Sequence, residues 1–347
     1  MITFQRQNSS CTKLAFRQFG DPLKVLKLEE ETVSAPKADE VLVKFIVAPV
    51  NPADINLIQG VYPVKVELPA VGGIEGVGEV IEVGANVNNF KPGDWIIPNA
   101  EGFGTWRTLG VFKSESLFKV PNDLNAVEVA GLSSNPSTAY RMLRDFVNLK
   151  PGDVVIQNGG NSACGQNVIQ ICRINNLISV NVVRDRPEIN GLKSYLESLG
   201  ADYVLTEEEL RKTDIFKTNK VPKPNLALNC VGGRSATEIS RHLADHGTMV
   251  TYGGMSREPV TIPTSAFIFK DICFRGYWMT RWTRLNKQSE ERQKMFDDLC
   301  EYMRSGKLKA PEHELIRLDN FPEAIMKTSS VQGYIGCKYL LDLQKSN

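Results

Sequence analysis

Several things are scarce in this sequence. No apolar run approaches the length needed to cross a bilayer, which removes a helical membrane span. Neither sign of charge dominates: 41 lysines and arginines stand against 40 acidic residues, a net charge of +1. A nucleic-acid binder would carry a clear basic excess or stripe. Histidine is rare, and His242, His246 and His313 stand in polar settings that suit surface or capping roles. The seven cysteines (Cys11, Cys164, Cys172, Cys230, Cys273, Cys300 and Cys337) are odd in number, widely spread and never paired as C-x-x-C. That spacing argues against a zinc ribbon, a redox dithiol or a disulfide framework, and it fits reduced intracellular surroundings. Acidic residues are missing before Asp21, while Arg6, Lys13 and Arg17 are interspersed with Ser and Thr. A mitochondrial presequence leaves such a remnant, and a frayed basic terminus would look the same. Internal repeats and low-complexity tracts are absent.

What is present is ordinary soluble composition, 42% hydrophobic and 23% charged, in 347 residues, enough for two domains. From Lys13 to Asn122 the signals are those of β structure. Apolar runs such as Val41–Val47 and Gly78–Val83 alternate with glycine and proline turns, and Lys91-Pro-Gly-Asp94 reads as a turn with Pro presetting φ. Several strands at close spacing predict a partly open barrel. From Ala126 to Val147 the apolar spacing becomes helical, and then Lys150-Pro-Gly-Asp153 repeats the turn phrase. Strand and helix now alternate. Val154–Ile156, Ile178–Val183, Tyr203–Leu205, Leu226–Val231 and Met249–Tyr252 read as strands, joined by the run Phe267–Phe274. Ile189, Leu192, Tyr195, Leu196 and Leu199 mark a helix stopped by Gly200. The expectation is an α/β chain whose second domain is a doubly wound parallel sheet. A charged helix from about Gln288 to Arg304 follows, and the tail is expected to return to the first domain.

The stretch Asp153–Gln166 carries the first chemical signal. A short buried strand turns through small residues into a helix with Val168, Ile171 and Cys172 on one stripe. Such a turn aims backbone N–H groups and a positive dipole end at one point, which suits a pyrophosphate, although the glycines depart from G-x-G-x-x-G. About twenty residues on, the next strand ends in Arg184-Asp185-Arg186. An acid there serves the ribose hydroxyls of NAD, whereas arginine pairs with a 2′-phosphate, so two arginines around one aspartate point to NADPH. Two later strands end in Cys230-Val-Gly-Gly233 and Tyr252-Gly-Gly-Met255, where glycine admits a flat ring or simply makes a turn.

The phrases Val50–Gly60 and Leu68–Gly78 resemble the medium-chain dehydrogenase/reductase superfamily, a GroES-like barrel joined to a Rossmann domain. Zinc-holding members carry Gly-His-Glu where this chain has Gly73-Ile74-Glu75, and both catalytic ligands and the four-cysteine lobe are missing. The expectation is therefore a metal-free protein. Ala48–Asn56, Gly104-Thr-Trp-Arg107, Asn135–Leu143, Gln157-Asn158, Asn181–Pro187 and Thr251–Met255 resemble the zinc-free trans-2-enoyl-thioester reductases of mitochondria, over Lys13 to Leu341.

That resemblance implies a catalytic domain from residues 1–136 and 279–347, a Rossmann domain from 137–278, NADPH, a homodimer, and a place in mitochondrial fatty-acid synthesis. It implies hydride transfer to the β-carbon of an enoyl-CoA or enoyl-acyl-carrier-protein and protonation at the α-carbon, with Tyr62 as proton donor. A tyrosine, with an ordinary pKa near 10, keeps its proton at neutral pH. It further implies cofactor contacts from Asn135, from the pyrophosphate loop Asn161, Ser162, Ala163 and Cys164, and from Arg184, Asp185 and Arg186. Tyr252, Gly253, Gly254, Met255, Tyr277, Trp278, Met279 and Lys338 complete the set. Ala163-Cys164 departs from the usual Gly-Val pair; Cys164, at a helix start, is either a sensitised thiol or packing under the loop. Arg275, Arg281, Arg284 and Lys287 form a basic run suited to coenzyme A phosphates or an acidic carrier. An apolar sheet edge near Phe267–Phe274 would serve the dimer. The rival readings are an NADPH:quinone reductase and an NADPH-binding protein without turnover.

Overall fold

The computed structural model describes residues 9–218, 220–329 and 337–344; Arg6, part of the expected presequence remnant, lies outside them. The chain divides into two units, Met1–Ser134 with Lys309–Asn347, and Asn135–Leu308.

In the first unit the strand Glu40–Pro49 is the centre of a seven-stranded sheet. It pairs with Val77–Val83 on one side and with Leu109–Lys113, then Lys338–Asp342, on the other. Val41, Val43 and Phe45 are fully buried while Lys44 faces solvent, the two-residue period of a strand with one face on a core. Register shifts at Leu42/Val43 and Phe45/Val47 are the bulges that bend such a sheet toward a barrel. The Lys91–Asp94 turn forms as its sequence predicts. Gly93 takes φ +88°, and Asp94 accepts bonds from Lys91 N (3.0 Å) and Lys119 Nζ (2.7 Å). Trp106, fully buried, covers Gly72 and Gly73: a Cβ on either would stand 2.4 to 2.5 Å from the indole ring, and one on Gly73 2.3 Å from the Thr105 hydroxyl. Its Nε1 donates to Pro49 O at 3.2 Å, so the glycine pair and the Gly104–Arg107 phrase are two halves of one packing contact.

In the second unit six strands run parallel. Val154–Asn158 (β1), Ile178–Val183 (β2), Tyr203–Thr206 (β3), Leu226–Asn229 (β4), Thr248–Thr251 (β5) and Cys273–Gly276 (β6) lie in the order β3-β2-β1-β4-β5-β6. Strand order therefore reverses between β1 and β4, the switch point at which doubly wound sheets open a crevice beyond the strand ends. Val154, Ile156, Val180, Val182, Ala227 and Met249 bury one face of this sheet against Ala236 and Ile239 of the Gly233–Arg241 helix and Leu243 just beyond it.

Two boundaries differ from expectation. The segment 279–308 belongs to the second unit, which also begins at Asn135. The Glu290–Arg304 helix buries Met295, Phe296, Leu299, Cys300 and Met303, and its Asp298 accepts a 2.5 Å bond from the Tyr140 hydroxyl of the Asn135–Asp145 helix. The tail does return to the first unit, but from Lys309. The run Phe267–Phe274 is not one strand. Thr264–Ile268 is a short helix, and β6 begins at Cys273 on an open sheet edge.

Candidate active site

At the end of β1 the chain leaves Asn158 through Gly159 and Gly160 into the helix Ala163–Ile174. Gly159 sits at φ +62°, with Cys230 Sγ only 2.5 Å from where a Cβ would be. A Cβ on Gly165 would meet the carbonyls of Gly159 and Gly160 at 2.6 and 2.7 Å, so the helix starts directly against the turn. Ser162 caps it, its Oγ accepting from Gly165 N at 3.0 Å. The first-turn N–H groups of a helix find no partner within it, and here small residues leave them approachable. That cradle fits a pyrophosphate. Cys164 is buried and burial raises its thiol pKa, so it packs under the loop rather than serving as a sensitised thiolate.

At the end of β2, Asp185 turns its carboxylate back on the chain, accepting from Arg186 N at 2.9 Å. Arg186 Nε donates to Arg184 O at 3.3 Å, and the Arg184 side chain is exposed. The one acid in this cluster is thus held locally while a guanidinium faces outward. The loops after β4 and β5 run together. Tyr252 N donates to Asn229 O (2.9 Å), Met255 N to Cys230 O (3.0 Å) and Ser256 N to Val231 O (2.8 Å). Gly253 allows this, since a Cβ there would lie 3.0 Å from Cys230 O. The Tyr252 hydroxyl is buried beside the Cys164 and Cys230 thiols, and burial raises its pKa. Met255 is exposed.

Tyr277 N donates to Thr251 O at 2.9 Å, which brings Tyr277-Trp278-Met279 to the same end of the sheet. The Tyr277 ring meets Phe146 edge-on at 5.9 Å. The Arg281 and Arg284 guanidinium groups lie over Trp278, 5.9 and 5.2 Å from its ring centroid. Asn135 opens the Asn135–Asp145 helix, which packs on the Ala163–Ile174 helix. The second unit therefore gathers Asn161–Cys164, Tyr252–Met255 and Tyr277–Met279 at the strand C-termini, with Arg184–Arg186 at the end of β2.

The first unit carries Tyr62 and Lys338. Val61 N and Tyr62 N both donate to Asn56 O, at 3.0 and 3.2 Å, so half-buried Tyr62 hangs from the end of the Pro52–Ile58 helix. The start of that helix is tied down by a buried cluster that no local sequence pattern marks. Asp54 accepts from Asn51 N and Ile74 N, each at 2.8 Å, and Asn51 Nδ2 donates to Glu75 Oε1 at 2.7 Å. Lys338 Nζ donates to Asn51 Oδ1. Lys338, expected at the cofactor, is thus engaged inside its own unit. Burial, reinforced by the Glu75 charge, pushes Asp54 up to about 7. Burial also raises Glu75 against the pull of Lys338, and lowers Lys338 against the two carboxylates. Ile74 offers no donor to a metal, and among the described residues no group of three or more His, Cys, Asp or Glu side chains is arranged to hold one.

Residues 37–122 match the alcohol dehydrogenase GroES-like domain and residues 163–298 the zinc-binding dehydrogenase domain. The chain is 48% identical to the mitochondrial enoyl-[acyl-carrier-protein] reductase of Xenopus tropicalis, over 91% of each chain. It belongs to that family. Among solved structures it resembles an Etr1p/NADP/crotonyl-CoA complex, with a TM-score of 0.88 and 37% identity over 96% of this chain and 100% of the other. It also resembles an Etr1p/Etr2p 2-enoyl thioester reductase heterodimer from Candida tropicalis, with a TM-score of 0.86 and 35% identity over 96% and 100%.

In this enoyl-[acyl-carrier-protein] reductase family member the Asp54 cluster links stability to pH. An unfolded aspartate titrates near 4, so from about pH 4 to about pH 7 the folded chain binds more protons at Asp54 than the unfolded one. The contribution is full below that window and is lost as pH rises through it, by at most ~1.4 kcal/mol per pH unit. Urea denaturation of wild type and Asp54→Asn across the window should show wild type losing stability relative to the variant as pH rises. Parallel curves would contradict the assignment.

Proposed function

We propose that this chain reduces trans-2-enoyl thioesters to saturated acyl thioesters with NADPH, in mitochondrial fatty-acid synthesis. The observation that carries the reading is whole-length similarity to enoyl reductases, 48% identity over 91% of each chain. The local geometry agrees: the tight Asn158–Gly165 turn at the sheet's switch point suits a dinucleotide, and the outward Arg184 beside a self-occupied Asp185 suits a 2′-phosphate. When bound there, NADPH supplies the hydride for the β-carbon.

The chain's own residues hold the cofactor and move the proton. Ser162 to Cys164 would present the helix start to the pyrophosphate, Arg184 and Arg186 would pair with the 2′-phosphate, and Asn135, Tyr252–Met255 and Tyr277–Met279 would hold the nicotinamide end. Lys338 holds Asn51, the residue that opens the Pro52–Ile58 helix. Tyr62 donates its phenolic proton to the α-carbon as charge builds on the thioester oxygen, and water then restores it. The reaction balances: one hydride and one proton are added across the double bond.

Purified protein should oxidise NADPH with a short trans-2-enoyl-CoA and remain idle with a quinone or with NADPH alone. Tyr62→Phe should lower kcat by roughly 10²- to 10⁴-fold while the Kd for NADPH holds. Quinone turnover in place of enoyl turnover would sink the function, and an unimpaired Tyr62→Phe enzyme would remove Tyr62 from the reaction.

The oligomeric reading rests on β6. Its Cys273–Gly276 backbone pairs only with β5 among the described residues, and Phe267, Ile268 and Phe269 beside it are 52%, 66% and 77% exposed. An open edge flanked by apolar side chains is a pairing surface. Sedimentation equilibrium should give about twice the 38.6 kDa chain mass, and Ile268→Asp with Phe269→Asp should halve it. A monomeric wild type would rule this edge out.

A further inference from the structure

The two strands that flank the switch point end in asparagine. Asn158 closes β1, Asn229 closes β4, and both are 0% exposed, polar amides shut inside the sheet. Their amides are joined, Asn158 Nδ2 donating to Asn229 Oδ1 at 2.8 Å across the gap between strands. Asn229 Nδ2 continues to Thr251 Oγ1 at 3.1 Å, so a chain of three side chains spans the ends of β1, β4 and β5.

The same amides hold the backbone just past the strands. Asn158 Oδ1 accepts from Cys230 N at 2.8 Å, and Asn229 Oδ1 accepts from Gly232 N at 3.0 Å and Val231 N at 3.3 Å. Those N–H groups have left the ladder, and an apolar side chain at either asparagine would leave them buried without a partner. Because the 252–256 loop is bonded to Asn229, Cys230 and Val231, a shift at Asn229 carries both loops with it.

Position in the sheet says which part of a ligand this chain of amides serves. Arg184 and Arg186, at the end of β2, mark the side that takes the 2′-phosphate and adenosine. A dinucleotide crosses the switch point, so its other half lies over β4 and β5. We infer that Asn158, Asn229 and Thr251 are positioning residues for the nicotinamide half of the cofactor, fixing the Cys230–Gly233 and Tyr252–Met255 loops on which that half rests. The inference builds on the NADPH reading above.

Fluorescence and calorimetric titrations with NADPH and with 2′,5′-ADP, which has the 2′-phosphate but no nicotinamide, test it without turnover. Asn229→Ala should weaken NADPH binding by roughly tenfold or more, several hydrogen bonds being lost, and change 2′,5′-ADP by less than about twofold. Thr251→Val, nearly isosteric and safe for folding, should weaken NADPH by about threefold to fivefold, and Thr251→Ser should restore it. Equal loss for both ligands would make the amides general scaffold and overturn the inference, as would unchanged affinity for either variant. A wild type that binds 2′,5′-ADP but gains nothing from the nicotinamide half would overturn it too. Failure of the wild type to bind either ligand would remove the cofactor reading itself.

Discussion

At the switch point of a parallel sheet, neighbouring strands send their chains away on opposite sides, and backbone N–H groups beyond the last ladder bond have nowhere to go. In this protein that burden falls on Asn158 and Asn229, whose amides take up the N–H groups of residues 230 to 232 and tie β1 to β4. The glycines nearby are subordinate to that arrangement. Gly159 and Gly165 let the pyrophosphate turn close on itself, and Gly253 lets the second loop lie against the first. A reducing cofactor needs both loops and turn to keep their spacing, and buried, fully bonded amides supply a spacing that a purely apolar core would leave looser.

The first unit meets a related difficulty with charge. Asp54, Glu75 and Lys338 are drawn together around Asn51, so two carboxylates and one ammonium share a site from which water is largely excluded. Charges in such a place cost several kcal/mol each unless paired and bonded, and the raised Asp54 pKa is the residue of that cost. What the site secures is the start of the Pro52–Ile58 helix, and the end of that helix carries Tyr62. Tyr62, the proposed proton donor, therefore hangs from a helix whose start is held by Asp54 upstream of it, by Glu75 downstream and by Lys338 much later in the chain.

Much of the second unit was legible from periodicity. The apolar runs at 154–156, 178–183 and 249–252 could only be buried strands, and their alternation with helical stripes implied a parallel sheet. Tyr62 was not legible in that way; a tyrosine in a Gly-Val-Tyr-Pro loop says nothing without the family resemblance. The boundary at residue 278 failed because the stripe Met295, Phe296, Leu299, Met303 fixes which face of a helix is buried and not which unit buries it. Phe267–Phe274 was apolar enough for a strand, yet Phe267 and Ile268 close a short helix, Phe269 and Lys270 turn, and Phe267 to Phe269 are exposed. Asn158 read only as the entry to the small-residue turn and Asn229 only as part of the strand Leu226–Val231, because their mutual bond spans 71 residues of sequence. Lys338 and Asn51 are 287 residues apart, beyond the reach of any local pattern.

Fate of the two added hydrogens is the most direct measure of the central claim, that this chain adds a hydride at the β-carbon and a proton at the α-carbon of an enoyl thioester. Crotonyl-CoA would be reduced with NADPH deuterated at its transferable position, and separately with ordinary NADPH in D₂O, and the butyryl product examined by mass spectrometry and NMR. One cofactor-derived deuterium at C3 in the first case and one solvent-derived deuterium at C2 in the second is the predicted result. Cofactor deuterium at C2, or no saturated thioester while NADPH is consumed, would contradict it.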